Sequence, residues 1–522
     1  MNPAKDIYRP SLALLTDLYG LTMAYAYWKS GRAEDRAVFH LSFRSQPFGG
    51  GYTVCCGLSY IIDFLTSLKF EPSDLDYLRT LPGNDGSPLF EEEFIRHLSN
   101  LKFDLDIDAV REGTVVFPHE PLVRVTGPLL LCQLMETPFL NFINFQSLVA
   151  TKAARICQAC KGEPVLEFGA RRAQGIDGAI TAARAAFIGG CAATSNVLAG
   201  RLLGIPVKGT FAHSWVMAFD SEPEAFEAYA RAMPNNCVFL VDTYDSIAGV
   251  KNAISTGLEL RKHGHEIIGI RLDSGDLAQL STEARELLDD AGFGDAAIIA
   301  TNDLDENTIS GLKEQGAAVS TWGVGTRLVT AYDQPALDGI YKLGAIRRSG
   351  EGWKYKVKLS EQPVKTSTPG ILQIRRYCSS SGYVGDMVYD IELGLPHDPA
   401  FIDSAYPCQR REISSDLDHE DLLTPVFRAG KLVYTPPSLE ETRNRCTTQL
   451  AHLHPRFRRQ MDPHAYPCGL EENLFMLKES LILEARRQIK TEKTKEQPWS
   501  PLAPPVEPVG LRNGRDCGRF CL

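Results

Sequence analysis

A chain of 522 residues, 44% hydrophobic and 23% charged, has the composition of a globular protein with an ordinary core and roughly two to four domains' worth of material. Its 55 basic and 65 acidic residues give a net charge of −10. That balance argues against a general nucleic-acid or membrane-surface binder, which needs a basic field, but it leaves room for a local basic pocket. No apolar run approaches the ~20 residues that span a bilayer. The start, "MNPAKDIYRPSLALLTDLYG", lacks the long apolar core and cleavage site of a signal peptide. The 13 cysteines include a single CxxC, Cys157 to Cys160. With no second pair or histidine pair at ligand spacing, they read as free thiols in a reducing cytosol, and a cytoplasmic protein is expected.

The first 115 or so residues open with a strand, a glycine-rich turn and a second strand, "AVFHLSFRSQPFGGGYTVCCGL" (37–58). Short strands broken by Pro and Gly then run into a long helix within 115–160. From 160 to 330 short apolar runs recur: "PVLEF", "GIPVKG", "NCVFLVD", "EIIGIRLD", "AAIIATND" and "AAVSTWGVGT". Helix-length segments such as 246–264 and 277–292 separate most of them. Apolar runs alternating with helices indicate βαβ units and a parallel sheet. Polar residues gather at the run ends (Glu167, Asp242, Arg271, Asp273, Asn302, Asp303, Gly323, Gly325 and Thr326), where ligands bind in barrels and open parallel sheets. The expected fold class is α/β. An irregular TIM-like barrel over 126–335 is the leading form, with an open doubly wound sheet as the alternative. A flanking discontinuous α/β domain would combine 1–125 with the β-rich 336–440. A helical segment is expected over 441–489, and a disordered tail over 490–522, which is proline-rich and aperiodic.

Several stretches could carry chemistry. In "RLDSGDL" (271–277), Arg271 offers a bidentate partner for a carboxylate or phosphate. The plainer reading is a strand-to-helix turn with Asp273 or Ser274 as N-cap. "WGVGT" (322–326) could cradle a phosphate on Gly323, Gly325 and Thr326, or be an ordinary tight turn. "FIGGCAATSNVLAG" (187–200) offers a second such place at Gly189 and Gly190, followed by Thr194, Ser195 and Asn196 at a helix start. Two phosphate-type turns suit a substrate with phosphate at both ends. Arg171 and Arg172 follow a strand, and helical spacing would send only one of them into a site. Asp242 and Asp245 in "VDTYDS" could hold Mg²⁺ or a ribose hydroxyl, or cap a helix. His213, in "VKGTFAHSWVMAF" (207–219) with Thr210 and Ser214 close by, could be structural, a ligand or reactive. Near Arg271 and Asp273 a reactive imidazole is the better reading.

The ordered set "LLTDLYGLTMAYAYW", "FRSQPFGGGY", "EFGARRAQG", "TSNVLAG", "GTFAHSW", "VDTYD", "RLDSGDL", "TNDLDE", "GVGT" with "GIYKL", and "RFRRQMDPHAYPCGL" resembles the nicotinate phosphoribosyltransferases over residues 10 to 475. The resemblance implies a type II phosphoribosyltransferase fold assembled as a homodimer. The implied reaction joins nicotinate to 5-phosphoribosyl 1-diphosphate, giving nicotinate mononucleotide and diphosphate. It is coupled to ATP hydrolysis and serves NAD salvage.

Carried over, His213 would be phosphorylated by ATP, and Tyr19 would stack on the pyridine ring across the dimer. Thr210 and Arg271 would hold nicotinate, Arg171 the phosphoribosyl side, and Thr326 with its glycines the 5′-phosphate. Asp273 and Asp242 would stand near the ribose. Mg²⁺ or Mn²⁺ would travel with the diphosphate. The related nicotinamide enzymes are expected to carry an aromatic where this chain has Ala170 and an acid where it has Ser195, so Ser195 favours a carboxylate-bearing base. The alternatives are nicotinamide phosphoribosyltransferase, a sugar-phosphate barrel lyase or isomerase with Lys208 as its only weak Schiff-base candidate, and an inactive homologue that binds without catalysis.

Overall fold

The computed structural model describes residues 11–360, 366–405, 409–414 and 416–494. Five of the six apolar runs of the middle region are strands of one parallel sheet. We number its strands β1 (Val165–Glu167), β2 (Ala193–Thr194), β3 (Val238–Leu240), β4 (Gly269–Leu272), β5 (Ala297–Ala300) and β6 (Thr321–Val324). They lie in the order β2-β1-β6-β5-β4-β3, all parallel. The run "GIPVKG" differs from expectation. It makes only a single parallel bridge, Val207 to Thr194, and β2 comes instead from "AAT", expected to lie at a helix start. The sheet follows chain order cyclically. Among the described residues no ladder joins β2 to β3, so its pairings form an open six-stranded sheet.

Both faces of these strands are covered, so they are apolar without alternation: β1 and β3 are buried at every residue, and Trp322 of β6 is fully buried. The chain leaves four of the six strands through a polar turn into an Asx-capped helix. Asn196 accepts the N–H of Ala199, Asp245 that of Ala248, Asp276 those of Ala278 and Gln279, and Asp305 those of Asn307 and Thr308. An Asx side chain satisfies first-turn donors that have no intrahelical acceptor. The cap after β4 is therefore Asp276, neither Asp273 nor Ser274, and Asp273 is left for other work.

Around this sheet lie two antiparallel-rich sheets. One has seven strands and draws on both flanks of the chain. Arg36–Phe43 pairs with Gly339–Arg347 on one side and Val123–Pro128 on the other, and Asp106–Val110 pairs with Leu423–Arg428. The other has six strands, the longest of them the paired Leu372–Ser379 and Gly382–Asp390. Its core holds the fully buried pair Arg376–Asp386, at 2.5 Å. Arg376 also donates to the Val115 carbonyl and to Gln449, each at 2.8 Å. This pins the sheet to its neighbours. The expected helical region 441–489 overlaps the helices Leu439–His452 and Glu472–Thr494, but between them Cys468–Glu471 joins the six-stranded sheet, parallel to Gly382–Asp390. Of the expected tail, residues 495–522 lie outside the described residues. No described helix is long and apolar enough to cross a membrane.

Candidate functional site

A cavity of about 280 Å³ opens at the carboxyl ends of the parallel strands. Its wall includes Arg171, Ser195, Thr210, Arg271, Asp273, Gly323, Gly325 and Thr326, each singled out from the sequence. Register explains the gathering. Arg271 on β4 is level with Ile299 on β5 and Leu240 on β3, so the residues just beyond each strand end share one rim.

Arg271 is the centre of the polar network. Its Nε donates to Thr301 Oγ1 at 3.0 Å, Nη1 to Thr210 Oγ1 at 3.0 Å, and Nη2 to Asp273 Oδ1 at 2.8 Å. Thr301 also donates to Asp273. Burial alone would raise the Asp273 carboxyl. The Thr301 hydroxyl, the charge and hydrogen bond of Arg271, and the His213 ring outweigh it and hold the group below the usual carboxylate range. Asp242 does not line the cavity. Its Oδ2 accepts the Asp273 N–H at 2.8 Å and the Ser274 hydroxyl at 2.6 Å, while its Oδ1 is buried with no hydrogen-bond partner.

His213 stands at the edge of this network. Its Nε2 is 3.5 Å from Asp273 Oδ2, and its Nδ1 is 3.2 Å from Thr243 Oγ1. The local sequence explains its direction. Phe211, Trp215 and Phe219 pack among Phe226 and Tyr229, with Phe211 and Tyr229 ring centroids 4.7 Å apart. Trp215 Nε1 also donates to the Ala225 carbonyl. Phe211 precedes the short helix His213–Met217, Trp215 lies on it and Phe219 follows it; their packing anchors the segment while the His213 ring turns to Thr243 and Asp273. Ser214, on the same helix, is exposed and does not line the cavity.

β1 delivers the other wall. Glu167 is buried, and burial raises its carboxyl. It accepts the Gly169 N–H and the Thr194 hydroxyl, which fixes the turn that follows. Arg171 and Arg172 both line the cavity. A tight 3-10 turn, Ala170–Arg172, replaces the helix that would have separated them, and among the described residues neither forms an ion pair. At Gly323 a β-carbon would lie 2.5 Å from Thr301 Cγ2 and 2.9 Å from the Phe168 ring, so only glycine lets the two walls approach.

Other expected residues lie elsewhere. Tyr19, near the start of helix Leu18–Lys29, is 45% exposed and does not reach the cavity of its own chain. Gly189 packs against the long helix Glu136–Ala159, where a β-carbon would meet the Ala150 carbonyl at 2.3 Å. Neither Gly189 nor Gly190 lines the cavity, and Asp245 is a helix cap. Lys208 is exposed and outside the wall. Sequence reasoning missed Thr301, Thr243 and Phe168, the cavity's aromatic. Phe168 and Thr301 directly follow β1 and β5, a positional signal that could have found them.

Family models match nearly the whole described chain. The nicotinate phosphoribosyltransferase N-terminal domain matches residues 14–144, the nicotinate phosphoribosyltransferase family 164–373, and the C-terminal domain 373–478. The chain is 43% identical to nicotinate phosphoribosyltransferase of Bacillus subtilis, over 92% of this chain and 97% of that one. It is 35% identical to the Homo sapiens enzyme of the same name, over 90% and 96%. The crystal structure of human nicotinic acid phosphoribosyltransferase superposes with a TM-score of 0.79 at 32% identity, covering 89% of this chain and 99% of that one. Nicotinate-nucleotide pyrophosphorylase from Pyrococcus furiosus, at 22% identity and TM-score 0.63, shares the fold. The chain belongs to the nicotinate phosphoribosyltransferase family.

Proposed function

We propose that the chain makes nicotinate mononucleotide and diphosphate from nicotinate and 5-phosphoribosyl 1-diphosphate, in the cytosol, for NAD salvage. ATP hydrolysis through a phosphohistidine at His213 drives the step. The observation that carries this reading is the Thr210–Arg271–Asp273–His213 network at a cavity in a chain of this family.

Breaking the ribose C1–O bond builds positive charge on the ribose and negative charge on the leaving diphosphate, so the site needs carboxylate near the first and cations near the second. Asp273, held ionised, meets the first need, with Asp242 fixing its backbone. Arg171 and Arg172, free of ion pairs among the described residues, suit the phosphoribosyl side. Gly325 leads into the short helix Thr326–Val329 with no side-chain cap, which suits the 5′-phosphate at Gly323, Gly325 and Thr326. The pyridine nitrogen is a neutral nucleophile, so holding the ring in line matters more than moving a proton. Arg271 and Thr210 would take the nicotinate carboxylate, with Ser195 adding no opposing charge. Phe168 supplies an apolar face that Ala170 does not. Ser214 would support the histidine segment.

Among the described residues no group of three or more His, Cys, Asp or Glu could hold a metal ion, so Mg²⁺ or Mn²⁺ would enter with the diphosphate, whose oxygens would be its main ligands and whose charge it would neutralise. ATP would transfer its terminal phosphoryl to a ring nitrogen of His213, releasing ADP. Hydrolysis of that P–N bond would later return the free imidazole and phosphate. We further read the cyclic strand order, with Val207 in the gap, as an irregular barrel. The seven-stranded sheet would be the core of a discontinuous flanking domain.

A homodimer is part of the reading. Val197 (70% exposed), Met217 (67%) and Leu202 (59%) stand bare on the segments that carry Ser195 and His213. In the dimer the partner would cover these side chains. Tyr19 would enter the partner's site there. The test is product formation from labelled nicotinate and phosphoribosyl diphosphate, with and without ATP, for wild type and His213→Ala. ATP stimulation lost in the variant supports the reading. Nicotinamide used in place of nicotinate, or no product from either base, overturns it.

A further inference from the structure

Two turns meet across the cavity, 301–303 after β5 and 323–326 after β6, and one buried carboxylate behind them is bonded to both sides. Asp305, 3% exposed, uses Oδ1 to accept the N–H groups of Asn307 and Thr308 and the Thr308 hydroxyl. That is a complete helix cap. Its other oxygen, Oδ2, accepts Arg327 Nη1 at 2.8 Å. Arg327 directly follows Thr326, and its guanidinium lies over the Tyr332 ring at 4.7 Å. Neither Asp305 nor Arg327 lines the cavity.

The base of this arrangement is rigid. Glu306, the next residue, is fully buried and held by Lys152 at 2.7 Å and Arg155 at 2.8 Å, both from the long helix Glu136–Ala159. The turn above it is strained. Asn302 and Asp303 both have positive φ, 108° and 40°, which non-glycine residues hold only when their surroundings impose it. The cap of Asp305 fixes the downstream end of that turn, and the Arg327 bond transmits its position to the neighbouring one.

We propose that Asp305 and Arg327 are a positioning pair that keeps the 323–326 turn at its working distance from the 301–303 turn. It sets affinity for the phosphate-bearing substrate without touching it. This rests on the reading of the cavity as a phosphoribosyl diphosphate site.

The test separates the clamp from the cap. Asn caps helices as well as Asp, so Asp305→Asn keeps the helix start and weakens only the ionic bond to Arg327. Arg327→Met removes the bond from the other side. Both variants of the full chain should retain the wild-type melting temperature within a few degrees. Each should raise KM for phosphoribosyl diphosphate severalfold and at most about tenfold, since the bond is lost from free and bound protein alike and its full worth is the upper bound on what reaches the substrate, while KM for nicotinate moves less than about twofold. The double variant should be no worse than the poorer single one, since both delete the same contact. Arg327→Lys, which keeps a cation, should recover part of the affinity, and it stands in if Arg327→Met does not fold. Unchanged KM values, or equal rises for both substrates, would overturn the pair.

A calorimetric titration with inorganic diphosphate, without nicotinate, keeps this separate from the function itself. A wild type that binds diphosphate but makes no nicotinate mononucleotide would refute the proposed reaction, and weaker binding by Asp305→Asn would still support the clamp. A wild type that binds no diphosphate leaves the clamp nothing to hold and overturns it.

Discussion

Replacing Arg271 by Met is the most informative single change. The guanidinium is 13% exposed and Asp273 30%, so their contact is partly shielded from water. Removing Arg271 deletes the 2.8 Å bond to Asp273 and the bonds that orient Thr210 and Thr301. A hydrogen bond to a charged group is worth about 1.5–3 kcal/mol, and about 1.4 kcal/mol is tenfold in rate or affinity. kcat/KM should therefore fall by about 10². Arg271→Lys keeps the charge but not the planar fork, and should cost about tenfold. The assay is initial-rate nicotinate mononucleotide formation across pH, with calorimetry to show that the fold survives. The pH axis carries the sharper test. Asp273 is held below the usual carboxylate range partly by Arg271. Its ionised form is present above that depressed value and is lost as pH falls through it. Without Arg271 its pKa rises, so the acid limb of kcat/KM must move to higher pH. A rate within threefold of wild type, or an acid limb that stays put or moves down, would refute the role given to Arg271.

Three further outcomes follow from the geometry. Gly323→Ala puts a methyl 2.5 Å from Thr301 Cγ2. It should cost about 1–3 kcal/mol in overpacking, read as a lower urea midpoint with reduced activity. Arg376→Met strands the fully buried Asp386 carboxylate and should destabilise by about 3–5 kcal/mol; changing Asp386 to Leu as well should recover much of that in the same unfolding assay. Burial, with Arg124 nearby, pushes the His40 imidazole down to about 3, and its Nε2 accepts the Leu372 N–H. The unfolded chain then takes up this proton first, so stability falls as pH drops from about 6.5 to about 3. His40→Gln should flatten that slope by one proton, and an unchanged slope would assign the acid sensitivity to other groups.

The parallel sheet was legible because buried strands must be apolar and their ends must carry what the ligand needs. Arg271, Asp273, Thr210 and Gly323 could each be picked out at a strand end. What could not be read was their partnership. Thr210 and Arg271 are 61 residues apart, and Thr301 owes its place to the register of β4 and β5. Threonine and phenylalanine announce no chemistry of their own, which hid Thr301, Thr243 and Phe168. Helical spacing separates Arg171 from Arg172, whereas the chain makes a 3-10 turn there, after a Gly169 packed where a β-carbon would lie 2.3 Å from Val329. The six-stranded sheet was the least legible part. Its strand Cys468–Glu471 sits between two helices and takes its partners from residues 386–388 and 401–403.

The seven-stranded sheet has a consequence for synthesis. Arg36 pairs with Arg347, and Ile107 with Phe427. At about 5–20 residues per second, an emerging Arg36–Phe43 strand waits roughly 15–60 s for its distal neighbour, holding Val123–Pro128 on one side and an unpaired edge on the other. The intervening parallel sheet is complete by residue 324 and can close around its own core while the ribosome is still translating the rest. Slow codons or a chaperone would matter most in that interval, when the open edge can recruit another nascent chain.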